Sequence, residues 1–312
     1  MARISCILPA YNESSSLQEC CRQIQEQPNM LPLPYEILIV DDGSTDDSAA
    51  RMRSLHAADP RIGYIVLSRN FGHQNALLAG LDAASGDAVI MMDADLQHPA
   101  SLLPRMIEKW QQGFQIVSMV RTDTVGQSWF KRATSALFYR VLNACGDVRV
   151  QPGAADFRLL DRSVVEVLRR FPERFLFFRG LMSLVGFRQV AIPYVADRRY
   201  AGSTAYSLRH MCRFALGNLL RFSVMPLHII LVMGVFTAFF AFIYGMYGFV
   251  EWGRGNVQSG WTSLFFVVLS LGSMQLLGIG IMGQYIANIY TEVRRRPRYI
   301  VSESAGIAVM KI

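Results

Sequence analysis

The stretch Val89-Ile90-Met91-Met92-Asp93-Ala94-Asp95-Leu96-Gln97-His98-Pro99 decides how the rest of the chain is read. Four apolar residues, suited to a buried strand, stop at two carboxylates one residue apart, then an amide, an imidazole and a proline follow. Alternate side chains of an extended segment point the same way, so Asp93 and Asp95 can face one point in space. Hard carboxylate oxygens, with Gln97 beside them, suit Mg²⁺ or Mn²⁺, and such an ion is matched to a diphosphate. Asp is also common in a solvated turn after a strand, so the pair alone leaves both readings open. Its place at the carboxyl end of a strand, where open α/β sheets bind ligands, favours the metal.

The pattern repeats on either side. Residues 4–8 form an apolar run closed by Pro9-Ala10-Tyr11-Asn12-Glu13. Residues 36–40 end in Asp41-Asp42-Gly43-Ser44, residues 62–67 in Ser68-Arg69-Asn70, and residues 115–120 at Arg121. Helical patterns separate these runs, with apolar residues at Leu17, Cys20, Cys21 and Ile24, across 75–84, and at Leu102, Leu103, Met106, Ile107 and Trp110. Strands alternating with helices predict an α/β fold, a mainly parallel sheet with helices on both faces. The polar strand ends then share one edge. No glycine-rich phosphate loop accompanies them, so a diphosphate there would be neutralised by a metal on carboxylates. Asp42 or Asp41 could accept a hydrogen bond from a base N–H.

Composition divides the chain. Of 312 residues, 52% are hydrophobic, and the excess lies beyond residue 225. Residues 226–250 and 261–291 carry no charged side chain, and each run exceeds the ~20 apolar residues that cross a bilayer. Arg209, Arg213 and Arg221 precede the first run, and Arg294, Arg295, Arg296 and Arg298 follow the second. The positive-inside rule therefore predicts two spans with the whole N-terminal region and both termini in the cytoplasm. Residues 207–222 are amphipathic and predict a membrane-surface helix. The net charge of +7 suits membrane contact and anionic ligands, and the basic residues lack a stacking platform for nucleic acid. Met1-Ala2-Arg3 running straight into an apolar strand is read as a start without a signal peptide, and five cysteines without metal-ligand spacing read as reduced structural thiols. Gly278-Ile279-Gly280-Ile281-Met282-Gly283 matches a dinucleotide fingerprint but lies inside a span. Small residues there favour close helix approach, as at Gly283 and Ala287.

The stretches PAYNE (9–13), DDGS (41–44), RNFG (69–72) and DADLQHP (93–99) resemble the inverting family-two glycosyltransferases with the GT-A fold. ADFRLLDR (155–162), Arg199 with Gly202 and Tyr206, and paired spans ending in RRRPRY (294–299) narrow the resemblance. It points to polyprenyl-phosphate glycosyltransferases, closest to the bactoprenol glucosyltransferases and dolichol-phosphate mannose synthase-like proteins. The resemblance implies that Pro9, Tyr11, Glu13, Asp41, Asp42 and Asp93 hold the nucleotide. It implies that Asp93, Asp95 and Gln97 bind Mg²⁺ or Mn²⁺, and that Arg121, Lys131, Ser135 and Arg199 hold donor or acceptor phosphates. Asp156 matches the usual catalytic base, and Asp95 counts as catalytic through its metal. A phosphate monoester has a second pKa of ~6, so Asp156 could instead orient the acceptor or pair with Arg158 or Arg162. The run Gly202-Ser203-Thr204-Ala205-Tyr206 departs from the family, with Ala205 where a lysine is usual.

The resemblance implies hexose transfer from a nucleotide diphosphate sugar, UDP-glucose by preference, onto polyprenyl phosphate in the membrane. A processive glycan synthase is disfavoured because no Gln-x-x-Arg-Trp run appears. A non-catalytic nucleotide-sugar scaffold would be expected to lack Asp93 or Asp95. The expected organisation is a catalytic domain over 1–206, a juxtamembrane helix over 207–225, a span hairpin over 226–291 and a basic tail over 292–312, with homo-oligomers through the spans.

Overall fold

The computed structural model describes residues 2–27, 33–122, 154–173, 178–195, 225–255 and 260–307. Two compact units divide the chain. The first holds residues 1–139, 148–205 and 295–312, and the second holds residues 140–147 and 206–294.

In the first unit, eight described strands form one sheet: β1 (Ile4–Ala10), β2 (Tyr35–Asp41), β3 (Ile62–Leu67), β4 (Ala88–Met91), β5 (Ile116–Arg121), β6 (Ala154–Asp161), β7 (Gln189–Tyr194) and β8 (Val301–Ala305). Their order is β7-β5-β6-β4-β1-β2-β3-β8. β1 pairs in parallel with β2 and β4, β2 with β3, and β5 with β7. β6 runs antiparallel between β4 and β5, and β8 runs antiparallel along β3. The sheet is thus mainly parallel, as the alternation of strands and helices predicts.

Both faces are covered, which is why the strands read as unbroken apolar runs. Ile4, Cys6 and Leu8 of β1 join the helices Leu17–Gln25 (α1), Ser48–Ala58 (α2) and Leu103–Gln111 (α4) in one core. Ile7 points the other way, toward His73–Ala83 (α3), Arg162–Arg170 (α5) and Phe178–Leu184 (α6). Each fully buried Ile or Leu contributes roughly 1.5–3 kcal/mol. Cys6, Cys20 and Cys21 are free and buried within the first core, where burial pushes the thiols of Cys6 and Cys21 up to about 12. α5 starts where it does because Asp161 caps it, accepting from Ser163 N at 2.9 Å, while Trp110 Nε1 donates to the other carboxylate oxygen at 2.7 Å.

The segment expected as a basic tail contributes an element of this unit. Val301–Ala305 supplies the edge strand, with Glu303 accepting from Arg53 Nε and Nη2 at 2.9 and 2.7 Å and from Tyr64 Oη at 2.7 Å. Arg298 donates to the Phe171 carbonyl, and Tyr299 Oη donates to Asp82 Oδ2 at 2.8 Å. Burial pushes the Asp82 carboxyl up and, together with that carboxylate, the Tyr299 phenol up. Tyr299→Phe removes a donor from a mostly buried acid. It is expected to cost about 1–2 kcal/mol, a fall of roughly 2–8 °C in the thermal midpoint of the detergent-solubilised protein. An unchanged midpoint would make this bond dispensable.

The second unit contains the helices Met225–Gly253 (α7) and Trp261–Val293 (α8), both long and apolar enough to cross a bilayer. Their apolar side chains are largely exposed, Phe242 at 69% and Leu276 at 71%. Within the pair, Gly278 is buried against Ile230, whose Cγ2 would lie 3.4 Å from an added Cβ. An added Cβ at Gly283 would meet nothing within 4 Å among the described residues. The amphipathic segments over 128–142 and 207–222 lie outside the described residues.

Candidate active site

The carboxyl ends of β1, β2, β3 and β4 meet at one edge of the sheet. The loops after β1 and β2 are laced together: Asn12 N donates to Ser44 Oγ at 2.8 Å, and Thr45 N donates to Asn12 Oδ1 at 2.9 Å. Asn12 holds a left-handed φ of 57°, which Asn tolerates better than most residues. Pro9 is buried in β1, Tyr11 stands 46% exposed just beyond it, and Glu13 accepts from Ser16 Oγ at 2.9 Å.

Both acids of the Asp41-Asp42 pair are buried and turned onto the protein's own donors. Asp41 accepts from the amide of Ser44 at 3.1 Å and from its hydroxyl. Asp42 accepts from Phe71 N at 2.7 Å and Gly72 N at 2.9 Å, which fastens the loop after β3 to that after β2. Burial pushes both carboxyls up, against the pull of these hydrogen bonds. Gly43, at φ +68°, lets the two loops touch: an added Cβ would lie 2.4 Å from the Arg69 carbonyl carbon.

Asp93 lies two residues beyond the end of β4. Its backbone N–H donates to His98 Nδ1 at 3.0 Å, and His98 Nε2 lies 3.7 Å from Asp93 Oδ2. The His98 ring stacks on Phe157 of β6, centroids 4.8 Å apart, and meets Tyr194 of β7 edge-on. Burial lowers the His98 pKa, in keeping with an imidazole that accepts at Nδ1. Asp95 Oδ1 accepts from Gln97 N at 3.1 Å, and Leu96 between them holds φ 63°. A leucine there costs of order 1–2 kcal/mol, and such strain clusters at functional sites.

Asp156 arrives from the opposite direction. β6 is antiparallel to β4, with Ala88 opposite Asp161 and Met91 opposite Arg158. Continuing that register by two residues sets Asp156 across from Asp93. Between them stands His73 in the first turn of α3, its Nε2 3.4 Å from Asp93 Oδ1 and 3.8 Å from Asp156 Oδ2. Asp156 also receives Gln74 Nε2 at 3.2 Å, Arg158 Nη2 at 3.4 Å, and Arg179 Nε and Nη2 at 3.3 Å each. Burial opposes its ionisation, yet the Arg179 and Arg158 guanidiniums hold its carboxyl below the usual range. Arg121 stands exposed at the end of β5, on the same edge. Lys131, Ser135 and Arg199 lie outside the described residues.

Sequence reasoning thus gathered Pro9, Tyr11, Glu13, Asp41, Asp42, Asp93, Asp95, Gln97, Arg121 and Asp156 near one edge, and missed His73, Gln74, His98 and Arg179. RNFGHQ (69–74) directly after a strand was the available signal for the first two.

A sheet of this order, with acids on its central carboxyl edge, is the GT-A architecture of nucleotide-sugar transferases. Residues 5–169 match the model of glycosyl transferase family 2, and the chain belongs to that family. It is 40% identical to the uncharacterized glycosyltransferase YkcC of Bacillus subtilis (strain 168), over 97% of this chain and 94% of that one. The SfII prophage-derived bactoprenol glucosyl transferase of Shigella flexneri is 37% identical, over 97% of this chain and 98% of its own length. Among solved structures, the mannosyltransferase PcManGT from Pyrobaculum calidifontis, in complex with GDP-Man and Mn²⁺, is similar at 18% identity and a TM-score of 0.49, covering 95% of this chain and 88% of that one.

Proposed function

We propose that this glycosyltransferase moves a hexose, glucose from UDP-glucose by preference, onto a polyprenyl phosphate such as undecaprenyl phosphate, with inversion. The observation that carries the reading is the meeting of Asp93, taken here as a donor-side acid, and Asp156, taken as an acceptor-side acid, across His73. Likeness to a bactoprenol glucosyl transferase over nearly the whole chain supports the lipid acceptor. The two apolar helices support a chain held in the membrane, and the flanking arginines favour a cytoplasmic catalytic domain.

A divalent ion fits the donor end. Among the described residues no group of three or more His, Cys, Asp or Glu could hold a metal ion, so the protein's donors there are the hard oxygens of Asp93 and Asp95. That set suits Mg²⁺ or Mn²⁺ completed by diphosphate and water, with Gln97 beside it. When bound, the ion would offset the charge gathering on the departing nucleotide diphosphate. Asp42 fixes the Phe71 and Gly72 backbone beside the nucleoside side, where Tyr11 offers an exposed ring for the base. His98 holds the turn after β4 against β6. The acceptor phosphate supplies its own nucleophilic oxygen, ionised above its second pKa of ~6.

The test uses full-length protein in detergent with undecaprenyl phosphate, Mn²⁺ or Mg²⁺, and labelled UDP- or GDP-sugars offered singly. Butanol-extractable label from one donor, lost with EDTA, is expected; nucleotide binding without lipid-linked label from any donor would favour a non-catalytic scaffold. The pH dependence follows. With its folded pKa depressed, the stability Asp156 contributes is present above its unfolded pKa of ~3.9 and is lost only as pH falls through the lower folded value. The acid limb of kcat/KM should therefore fall near pH ~6, where the acceptor takes up a proton, and should stay there in Asp156→Asn. A limb that moves or vanishes in that variant would make Asp156 the titrating base.

A further inference from the structure

Asp156 is 6% exposed at its side chain and is contacted by two guanidiniums, an amide and an imidazole. Two arginines thus converge on this one carboxylate. Arg158 is enclosed, and its Nη1 also donates to the Phe178 carbonyl at 3.3 Å. Gln74 braces the same turn, its Oε1 accepting from Phe178 N at 3.3 Å. Arg179, the next residue, keeps 36% of its side chain exposed while two of its nitrogens rest on Asp156. A guanidinium fixed at one edge and exposed elsewhere suits an oxyanion, because its planar fork of donors is pre-oriented.

Position selects the anion. Across the sheet the nucleoside loops follow β1, β2 and β3, the metal carboxylates follow β4, and Asp156 with Arg179 lies on the far side. Inversion requires attack from the face opposite the departing diphosphate, so the nucleophile's phosphate belongs on that far side. We propose that Arg179 binds the phosphate of the acceptor lipid, with Asp156 as the counter-ion that positions it. The proposal rests on the polyprenyl-phosphate reading above and adds a residue to it.

The test measures binding without turnover. Full-length parent, Arg179→Gln, Arg179→Lys and Asp156→Asn proteins in detergent are titrated calorimetrically with farnesyl phosphate, with farnesol as the control for the apolar tail, and separately with UDP plus Mn²⁺. Arg179→Gln is expected to weaken farnesyl phosphate binding about 10- to 100-fold, the range for a hydrogen bond to a charged group. Arg179→Lys should recover part of that loss, and Asp156→Asn should weaken the same ligand several-fold by freeing Arg179. All four should bind UDP with Mn²⁺ alike, which also reports that they fold. In turnover, Arg179→Gln should raise KM for the lipid and leave KM for the nucleotide sugar in place. Parent-like farnesyl phosphate binding by Arg179→Gln overturns the proposal, as does a matching loss of UDP with Mn²⁺, which would assign Arg179 to the donor. A parent that binds UDP with Mn²⁺ but prefers farnesyl phosphate no more than farnesol overturns the acceptor reading itself, and the role of Arg179 falls with it.

Discussion

Asp93→Asn is expected to lower kcat about 10²- to 10³-fold while the chain stays folded. The amide keeps the volume of the carboxyl, and the bond from the backbone N–H to His98 Nδ1 does not involve the replaced group. What goes is one of the two negative oxygen donors proposed for the divalent ion, the carboxylate oxygen 3.4 Å from His73 Nε2. Loss of one preorganised electrostatic contact at a developing charge costs about 10²–10³ in rate. Mn²⁺ affinity in the presence of UDP, measured calorimetrically, should fall together with kcat, and the thermal midpoint should hold. Metal-dependent turnover at the parent rate would remove Asp93 from the donor site.

Gly43→Ala should do the opposite, damaging structure first. At φ +68° an alanine is strained by about 1–2 kcal/mol, and its Cβ would sit 2.4 Å from a backbone carbon of Arg69. Backbone cannot swing aside as a side-chain tip can, so overpacking adds about 1–3 kcal/mol. The combined cost of roughly 3 kcal/mol corresponds to a thermal midpoint lower by about 6–12 °C for a domain of this size. The same push separates Asp42 from the amides of Phe71 and Gly72, so UDP binding should weaken in the protein that remains folded. Parent-like stability would show that the loops after β2 and β3 separate at little cost.

The parallel half of the sheet was legible because each strand buries both faces: Leu38 and Val40 enter one core while Ile37 and Ile39 enter the other. The acids at the strand ends stood out for the same reason, as abrupt breaks in apolar runs. β8 was not legible, since Val-Ser-Glu-Ser-Ala has no apolar run and is specified by Arg53, Tyr64 and the open edge of β3. The antiparallel insertion of β6 was equally hidden, and with it the facing of Asp93 and Asp156. His73 and Arg179 acquire meaning only through that facing, because neither is near Asp156 in sequence. The residues left open whether Asp41 or Asp42 accepts from a base N–H; in the fold each also accepts from a backbone N–H of the protein, Asp41 from Ser44 and Asp42 from Phe71.

The edge strand also sets a schedule for making the protein. Arg53 and its partner Glu303 are 250 residues apart in the chain. At ~5–20 residues per second of synthesis, β3 waits roughly 12–50 s for β8, and both long apolar helices emerge from the ribosome in the interval. During that wait β3 exposes an unpaired strand edge, the kind of surface on which chains stick to one another. The sheet of the catalytic unit is therefore sealed last, after the apolar hairpin has been synthesised, so a chain stalled within that hairpin carries an unfinished catalytic unit.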